Sequence, residues 1–300
     1  MTSIVVPAHN EGAVIGRCLD ALLEDAAPGE FDVIVVANGC TDDTVQVAAK
    51  RAGVRVLDLE IPGKVAALNA GDEVALGYPR IYLDADIVMC SSGVRALCAA
   101  VTSPHTELAP KILASTACRK VDVSSSPLLV RSYFAINSRL PVFRNALFGR
   151  GVIVLSAEGR ARFGKFPDVI ADDLFVDSLF LPTEKREVES VSTTIASPRS
   201  TRDLVYRLAR VRRGNMSMRR LQSGATDIRA SHRGRTSWLF DVVLRSPTLI
   251  PAGVCYVFIT IMAAILAQRQ HGANVAWAHD ESSREPAAER KSGDTANDPR

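Results

Sequence analysis

The chain has 300 residues, of which 47% are hydrophobic, and a formal net charge of only +3. These values suit one substantial globular domain with an appendage. Its six cysteines show neither metal-binding nor redox spacing, which excludes a cysteine metal cluster and is typical of a reducing cytosol. No signal-peptide pattern precedes the first apolar run, and the chain contains no internal repeat.

Apolar runs alternate with amphipathic stretches in the first 83 residues. The runs predict strands at residues 3–7, 32–36, 54–59 and 80–83. The amphipathic stretches predict helices at 13–23, 41–52 and 65–75, with Thr41 in the N-cap region of the second. Strands that alternate with helices in this way predict an α/β fold, with a mostly parallel sheet and helices on both faces.

Polar residues follow three of these predicted strands. They occupy residues 7–11, 37–40 and 84–86. Ligands of parallel α/β sheets bind beyond the carboxyl ends of the strands. We therefore expect the three segments to converge on one crevice.

The third segment, Asp84-Ala85-Asp86, is the most informative motif of the chain. Alternation along an extended backbone predicts that Asp84 and Asp86 lie on the same side. Hard cations such as Mg²⁺ and Mn²⁺ prefer oxygen ligands and keep positions open for phosphate, so the pair could hold such an ion against a diphosphate. A solvated turn is the alternative, because Asp is also common in turns.

Five blocks, in this order, resemble the family-2 glycosyltransferases, whose GT-A fold binds nucleotide sugars. Together the blocks cover about residues 3 to 215. The matching stretches are Val-Pro-Ala-His-Asn-Glu at 6–11, Val-Ala-Asn-Gly-Cys-Thr-Asp-Asp-Thr at 36–44, Gly-Lys-Val-Ala-Ala-Leu-Asn-Ala-Gly at 63–71, Leu-Asp-Ala-Asp at 83–86 and Phe-Pro-Asp-Val-Ile-Ala-Asp-Asp-Leu-Phe at 166–175. The resemblance identifies the family but no particular substrate.

The resemblance implies a binding site for a nucleotide-diphosphate sugar. Its implied residues are Pro7, Ala8, Asn10, Glu11, Asn38, Asp42, Lys64, Asp84 and Ala85, with Asp86 and Asp84 as ligands of Mn²⁺ or Mg²⁺. The chain departs from the family at Ala37, where relatives carry an Asp that contacts the base. Recognition of the base is therefore expected to fall to Asn38 or Asp42. Asn38 followed by glycine is equally typical of a tight turn, and Lys64 of a solvated helix start.

The second acidic pair, Asp172-Asp173, precedes an apolar helix. Sugar transfer to a hydroxyl needs a base for the acceptor proton, and the resemblance implies that Asp173 is this base. Asp172 occupies the position where relatives often have Glu. Direct displacement would invert the anomeric centre. The alternative is a structural one, because acidic residues are favoured at helix N-termini by the helix dipole.

The stretch 145–155 contains a glycine-flanked turn that leads into a predicted strand, and in relatives this neighbourhood lies near the acceptor. Gly149 and Gly151 would permit unusual backbone angles there. Ser156 is expected to cap a short helix that follows.

Arginine is concentrated in residues 199–235, which hold eleven Arg, no Lys and two acids. Arg suits phosphate, and Arg210 and Arg213 fall near a Gln/Arg-x-x-Arg-Trp motif of relatives with membrane-embedded acceptors. Gly214 stands where that motif has Trp. A basic segment against anionic lipid is the competing interpretation. Nucleic acid is not expected as a partner, because no aromatic residues interleave with the arginines.

Residues 249–267 form an uncharged run of nineteen, long enough for a membrane-spanning helix, although Pro251 and Gly253 weaken its start. The arginines before it predict a catalytic domain on the cytoplasmic side of the cell membrane. The predicted organisation is a catalytic domain at 1–215, a basic linker at 216–248, a candidate transmembrane helix at 249–267 and a disordered polar tail at 268–300.

The sequence therefore predicts a membrane-associated, metal-dependent, inverting glycosyltransferase. It would move a sugar from a nucleotide-diphosphate donor to a saccharide or lipid-linked acceptor. One alternative is a polyprenyl-phosphate glycosyltransferase, whose phosphate acceptor would need no strong base. A second alternative is a nucleotide-sugar-binding protein without turnover, which the departures at Ala37 and Gly214 leave open.

Overall fold

The computed structural model describes residues 1–104, 110–169, 171–222 and 238–269, with side chains described only to residue 216 in the helix that ends at 222. The predicted polar tail from residue 270 onward lies outside the described residues. So do residues 223–237 of the predicted basic linker.

Seven strands form one mostly parallel sheet. They are β1 (Thr2–Ala8), β2 (Phe31–Asn38), β3 (Val54–Leu59), β4 (Arg80–Leu83), β5 (Ala114–Asp122), β6 (Val152–Leu155) and β7 (Lys185–Ala196). Their order across the sheet is β3-β2-β1-β4-β6-β5-β7. Only β6 runs antiparallel to its neighbours β4 and β5. The predicted fold class is confirmed, and the predicted bounds of β3 and β4 match those observed.

Helices cover both faces of this sheet. They are α1 (Gly12–Leu23), α2 (Thr44–Ala49), α3 (Lys64–Val74), α4 (Ser91–Thr102), α5 (Leu128–Asn137), α6 (Ala157–Arg160), α7 (Asp172–Ser178), α8 (Thr201–Gln222) and α9 (Ile250–Arg269). Successive β1 residues point to opposite faces, so Ile4 joins the core under α1 and α4 while Val5 joins the core under α3 and α7.

Two local predictions can be compared with the helix starts. Helix α2 begins at Thr44 and not at Thr41, with Asp43, also part of the predicted N-cap region, at the N-cap position. The backbone N–H of Thr41 instead donates to Oδ1 of Asn10 in the neighbouring loop, and residues 42 and 43 form a bend. The cap at Ser156 is confirmed, since its hydroxyl accepts a hydrogen bond of 3.0 Å from the N–H of Gly159.

The chain order of the strands reverses at β1, which lies between β2 and β4. A crevice opens at such a switch point, beyond the carboxyl ends of the strands. The loops after β1, β2 and β4 all end there. This is the position that the sequence predicted for the polar segments.

The C-terminal helices add a layer beside β5 and β7. Helix α9 packs against α5 and α8, and Tyr133, Leu204 and Ile259 are among the residues buried between them. A second apolar cluster joins α5 to α9 through the π-helical stretch Trp238–Val243. Helix α8 continues without a break through the predicted domain boundary at residues 215 and 216.

The described residues contain one helical stretch, Pro247–Arg269, whose length and apolar composition would suffice to cross a bilayer. Core helices can meet the same criteria, but only 17% of the most apolar window of this stretch is buried. Whether the stretch spans a membrane remains a prediction.

Candidate functional site

Hydrogen bonds hold the loops after β1 and β2 together at the crevice. Asn10 has a positive φ of 53°, which Asn tolerates, and its Oδ1 accepts a hydrogen bond of 2.8 Å from the N–H of Thr41. Nδ1 of His9 lies 2.6 Å from the carbonyl oxygen of Asn38. The sequence therefore brings the first two predicted segments together as expected.

Asn38 has a structural role in this arrangement. Its side chain is fully buried, its Nδ2 donates to the carbonyl of Ala8 at 2.7 Å, and its Oδ1 accepts from the N–H of Gly63 at 2.9 Å. The amide thereby joins the ends of β1 and β2 to the loop before α3. Its contribution to nucleotide binding is expected to be the positioning of these loops.

Other predicted nucleotide-binding residues at β1 and β4 are also buried. Pro7 and Ala8 lie in β1, and the methyl groups of Ala8 and Ala85 belong to the core under α1 and α4. These residues can reach a ligand only through their backbone. Glu11 is 5% exposed, and its carbonyl accepts the first hydrogen bonds of α1.

Asp42 connects the starts of two helices. Its Oδ1 accepts from the N–H of Thr44 at 3.1 Å and its Oδ2 accepts from the N–H of Gly12 at 2.9 Å. Partial burial raises the pKa of Asp42, but the hydrogen bonds from Thr44 and Gly12 outweigh that effect and leave the pKa below its ordinary value. Asp42 is therefore an anionic group at the entrance of the crevice.

Lys64 links the two acidic pairs. Its Nζ lies 2.9 Å from Oδ1 of Asp84 and 3.2 Å from Oδ2 of Asp172. Asp84 directly follows β4 and Asp172 begins α7, so the first residue of α3 brings together two residues that lie 88 positions apart in the chain. A cation at this point faces the place expected for a diphosphate.

Neighbouring charges and burial shift the pKa values of Asp172 and Lys64. Burial raises the pKa of Asp172 to about 6, while the ammonium of Lys64 pulls it down and the carboxylates of Asp173 and Asp84 push it up. Burial lowers the pKa of Lys64, but Asp172, Asp84 and Asp173 more than offset this effect and raise it above its ordinary value. Lys64 therefore stays charged, whereas Asp172 changes charge near neutral pH.

The Asp84-Ala85-Asp86 segment is a turn and not an extended strand. The N–H of Ile87 donates to the carbonyl of Asp84, and Asp86 lies exposed in the turn. The expectation of an extended backbone is therefore wrong, because the strand ends at Leu83, whereas the joint use of the two carboxylates as metal ligands stays a prediction.

A divalent cation still fits this segment by its chemistry. Mg²⁺ and Mn²⁺ take oxygen ligands and keep positions for water and phosphate, so two carboxylates suffice. No three His, Cys, Asp or Glu side chains gather into a metal site within the described parts of the chain. Asp84 and Asp86 would therefore hold the ion jointly with the substrate, and Asp84 would share its charge with Lys64.

Asp173 is fixed in the first turn of α7. Its Oδ2 accepts a hydrogen bond of 2.7 Å from the N–H of Gly149, and its Oδ1 accepts from the N–H of Leu174 at 2.8 Å. Further along α7, Oδ1 of Asp177 accepts from the N–H of Leu147. Two acidic residues of α7 thus hold the loop before β6, which the sequence associated with the acceptor.

Glycines allow that loop to turn. Gly149 and Gly151 have φ values of +66° and +71°, which confirms the predicted need for unusual backbone angles. The carbonyl of Gly151 accepts a hydrogen bond of 2.8 Å from the N–H of Asp84. The loop therefore contacts both the backbone of Asp84 and the carboxylate of the candidate base.

The segment before α7 is held from the opposite side by Asn69. Its Oδ1 accepts from the N–H of Phe166 at 2.8 Å and its Nδ2 donates to the carbonyl of Phe166 at 3.1 Å. The ring of Phe166 packs edge-on against Tyr82 and Phe163. The hydrogen bonds between Asn69 and Phe166 therefore fix the chain just before Asp172 and Asp173.

A basic group that the sequence did not single out lies beyond Gly149. Burial, together with the neighbouring guanidinium groups of Arg150 and Arg207, lowers the pKa of Arg119 to about 10. Arg119 lies 3.9 Å above the ring of Phe143. Among the described residues no carboxylate lies within 4.0 Å of the Arg119 guanidinium, whereas Arg150 is paired with Glu187.

Contacts lead from the candidate base to α9 through this basic group. A methyl group at Gly149 would lie 3.9 Å from Nη1 of Arg119, and Nη2 of Arg119 donates to Oδ1 of Asn137 at 2.9 Å. Nδ2 of Asn137 donates to the hydroxyl of Tyr133 at 3.4 Å, and the ring of Tyr133 stacks on that of Tyr256 in α9. Direct contacts therefore lead from Arg119 to the apolar C-terminal helix, and Arg119 lies beside Gly149, whose N–H holds the candidate base.

The two arginines that the sequence favoured, Arg210 and Arg213, lie on α8. Their predicted contact with a phosphate remains a prediction. Arg207 and Arg212, from the same helix, are close enough to Tyr133 to lower its pKa, although burial raises that pKa more strongly. Arg119 was missed because it lies within an ordinary strand, β5, and its neighbours come from distant parts of the chain.

Comparison with known proteins gives a family match over part of the chain and a similar fold. The family described as "Glycosyl transferase family 2" matches residues 3–110. A "PGL/p-HBAD biosynthesis glycosyltransferase" of Mycobacterium bovis (strain BCG / Pasteur 1173P2) is 32% identical over 111 residues, which are 35% of this chain and 43% of that protein. The chain thus matches less than half the length of this relative.

Two further relatives extend the comparison. "Glycosyltransferase AglE" of Haloferax volcanii is 31% identical over 90 residues, which are 28% of this chain and 30% of that protein. A solved structure of a mannosyltransferase from Pyrobaculum calidifontis, in complex with GDP-Man and Mn²⁺, aligns with a TM-score of 0.56 and 18% identity. The alignment covers 90% of this chain and 79% of the mannosyltransferase, and it supports a common GT-A fold.

Proposed function

Because residues 3–110 match the family described as "Glycosyl transferase family 2", we propose that this protein is a membrane-associated, inverting glycosyltransferase. It takes the sugar of a nucleotide-diphosphate donor and passes it to a hydroxyl group of a saccharide or lipid-linked acceptor. The observation that carries this proposal is the position of Lys64 between Asp84 and Asp172, which joins both acidic pairs at one crevice.

The proposed binding of the donor is supported by the charges in the crevice. The diphosphate is expected beside Lys64, whose ammonium would attract it. Asp84 and Asp86 would hold Mn²⁺ or Mg²⁺, and a bound ion would neutralise the negative charge that develops on the departing diphosphate. The loops joined by Asn10 and Asn38 would receive the nucleoside.

In the transfer step, Asp173 accepts the proton of the acceptor hydroxyl. The acceptor oxygen forms a bond to the anomeric carbon while the bond from that carbon to the diphosphate breaks, and the diphosphate leaves with the electron pair. The acceptor proton passes to the carboxylate of Asp173, which the N–H groups of Gly149 and Leu174 hold in place. Attack opposite the leaving group inverts the anomeric centre.

The lipid-linked acceptor is supported by the contacts beyond Asp173. Arg119, Asn137 and Tyr133 connect the neighbourhood of the base to Tyr256 of the apolar helix α9. An acceptor anchored among lipids would approach from that side.

A second candidate, transfer to a polyprenyl phosphate, is favoured by Arg119. This guanidinium is half-buried, and Arg150 and Arg207 add to the positive potential around it. An anionic acceptor group would supply the charge partner that it lacks among the described residues. A phosphate arrives ionised, so this reaction would depend less on Asp173.

The donor and metal can be tested together by thermal unfolding with a panel of nucleotide sugars that includes GDP-mannose. A ligand at about 100 times its Kd adds roughly 2.7 kcal/mol of stability. This corresponds to a rise in Tm of roughly 4–5 °C for a chain of this size. We expect one donor to give this rise with Mn²⁺ present and to lose it with a chelator.

Asp86→Ala is the matched variant for the metal. It should fold normally and lose the metal-dependent rise in Tm, because one of two carboxylate ligands is gone. Asp25→Ala removes an exposed acid at the far end of α1 and should keep the full rise. An unchanged metal-dependent affinity of Asp86→Ala in calorimetry would rule out this metal site, and a panel without any binding would rule out the donor class.

A further inference from the structure

Helix α9 has two different apolar faces along its whole length. The inner face packs against α5, α8 and the π-helical stretch and is formed mostly by small residues, with one tyrosine and one isoleucine, namely Ala252, Gly253, Tyr256, Ile259, Ala263 and Ala267. The outer face is exposed and consists of large residues, namely Ile250, Val254, Phe258, Ile261, Met262 and Ile265. Their spacing of three and four residues forms one continuous stripe.

The apolar surface continues beyond the helix. Phe240 and Leu244, in and just after the π-helical stretch that packs on α9, are 58% and 59% exposed. Soluble monomers rarely expose a contiguous apolar surface of this extent. The outer face of α9 therefore needs a partner.

The inner packing argues against a helix that crosses a bilayer. Inner-face residues are buried from Gly253 near the start of α9 to Ala267 near its end. A helix that crossed the membrane in this state would carry α8 into the hydrocarbon region with it. Residues 201–216 of α8 contain five Arg and a single acid, Asp203, and each buried charge would oppose insertion.

The charges around the outer face match an anionic surface. Arg245 precedes α9 and Arg269 ends it, and both are exposed. The outer face itself carries no charge. Pairing of this face with a second copy of the chain would bring the same arginines together, whereas anionic lipid phosphates would neutralise them.

We propose that α9 lies in the plane of an anionic membrane surface, with its outer face among the acyl chains just below the headgroups. Phe240 and Leu244 insert beside it, and the flanking arginines contact lipid phosphates. This placement puts α5, and with it the contacts that lead to Asp173, directly behind α9 and close to the membrane surface. The proposal gives the membrane association of the proposed function a defined geometry, and its test does not require sugar transfer.

Vesicle flotation with the full-length protein tests the surface. Wild-type protein should float with vesicles of phosphatidylcholine and 30% phosphatidylglycerol and bind pure phosphatidylcholine at least tenfold more weakly. The double variant Phe258→Glu/Ile261→Glu should lose at least tenfold in partitioning. The control Leu76→Glu alters a residue that is 68% exposed after α3, outside this surface, and should bind as wild type does.

Depth measurements distinguish an in-plane helix from a crossing one. Single Trp substitutions at Val254, Phe258, Ile261 and Ile265 are compared with the parent protein for quenching by lipids brominated at shallow or deep positions. An in-plane helix gives the same shallow preference at all four positions. A crossing helix gives a graded depth over about 16 Å, at 1.5 Å per residue, and that result would overturn the proposal.

Two other outcomes would also overturn it. Equal binding to neutral and anionic vesicles would remove the role of the arginines. A dimer in light scattering that does not float, and that Phe258→Glu/Ile261→Glu converts to a monomer, would identify the outer face as an interface between copies. Nucleotide-sugar binding by the same double variant in detergent reports on the crevice alone, so a failure of the proposed function is recognised separately.

Discussion

Lys64 and Asp172 are the residues whose charges depend most on each other. The ammonium of Lys64 lies within 3.2 Å of carboxylates from both acidic pairs and compensates part of their repulsion. Without that cation the carboxylates of Asp84, Asp172 and Asp173 would face one another around a partly buried crevice. Lys64 is therefore expected to hold the crevice together before the donor binds.

The raised pKa of Asp172 has a consequence for stability. Burial raises this pKa to about 6, so the folded protein binds a proton below that pH, whereas the unfolded chain binds it only below about 4. The raised pKa of Asp172 therefore lowers the free energy of unfolding as the pH rises from 4 to 8. Asp172→Asn lacks the effect, and its unfolding free energy relative to wild type should increase by roughly 2–3 kcal/mol over that range.

Urea unfolding of both proteins at pH 4.5 and 8 measures this difference. Asp25→Asn, at an exposed acid, serves as the control and should follow wild type at both pH values. A constant difference between Asp172→Asn and wild type would mean that Asp172 titrates as an ordinary carboxyl group.

Asp173→Asn separates the two acceptor chemistries. The amide can still accept the hydrogen bond from the N–H of Gly149, so donor binding should persist while transfer to a hydroxyl falls by roughly 10²–10⁴-fold. Asp168→Asn changes an exposed acid just before α7 and should leave the rate unaltered. Wild-type turnover by Asp173→Asn would favour a phosphate acceptor near Arg119.

At the scale of elements, the turn before β6 positions Asp84, one of the two candidate metal ligands. Gly151 has a φ of +71°, and a Cβ there would lie 2.4 Å from Cγ1 of Ile87. Gly151→Ala should therefore cost roughly 1–3 kcal/mol of stability through strain and overpacking. It should also weaken metal-dependent donor binding, because the carbonyl of Gly151 holds the N–H of Asp84.

Gly164→Ala is the matched control for this substitution. Gly164 lies in a loop where a Cβ would meet nothing within 4 Å, so its stability and donor affinity should stay at wild-type values. Thermal unfolding and calorimetry with Mn²⁺ measure both quantities. Equal effects of the two glycine substitutions would show that the turn at Gly151 does not position Asp84.

Helix α9 shows how neighbouring elements limit what one element can do. By itself the stretch is long enough to cross a bilayer. Packed against α8, it would have to carry arginines that each cost about 2.5–3.5 kcal/mol at the membrane centre. The combination favours an in-plane position, where the arginines remain at the headgroups.

At the scale of the whole molecule, apolar insertion and headgroup attraction should act together. Salt screens the basic contribution, which is about 1 kcal/mol per residue, but leaves apolar burial unaffected. The full-length protein should therefore remain with membranes through a wash with 1 M NaCl and need detergent for release. Fractionation followed by immunoblotting measures this.

Phe258→Glu/Ile261→Glu should become extractable by the same wash, and Leu76→Glu should not. Removal of the C-terminal helix is a less clean comparison, because α9 covers Tyr133 and other buried residues of α5 and α8. Full-length protein in the soluble fraction without detergent would contradict membrane association, and the lipid-linked acceptor would lose its main support.

The sequence by itself determined the class of the fold and the blocks of polar residues that follow its strands. Strands β1 to β4 are identified within about two residues because their signals, apolar runs bounded by turn residues, are local in the chain. The rule for parallel sheets then predicts that the loops after them meet. Even the length and apolar character of α9 follow from sequence alone.

Only the tertiary structure decided what the polar side chains in those loops contact. Asn38 forms hydrogen bonds with Ala8 and Gly63. Lys64 forms ion pairs with Asp84 and Asp172. All of these partners are distant in the sequence. The turn at Asp84-Ala85-Asp86, the position of Arg119 and the inner face of α9 likewise depend on which elements become neighbours. Local patterns determine secondary structure, whereas contacts between distant residues determine the charge and the accessibility of each group.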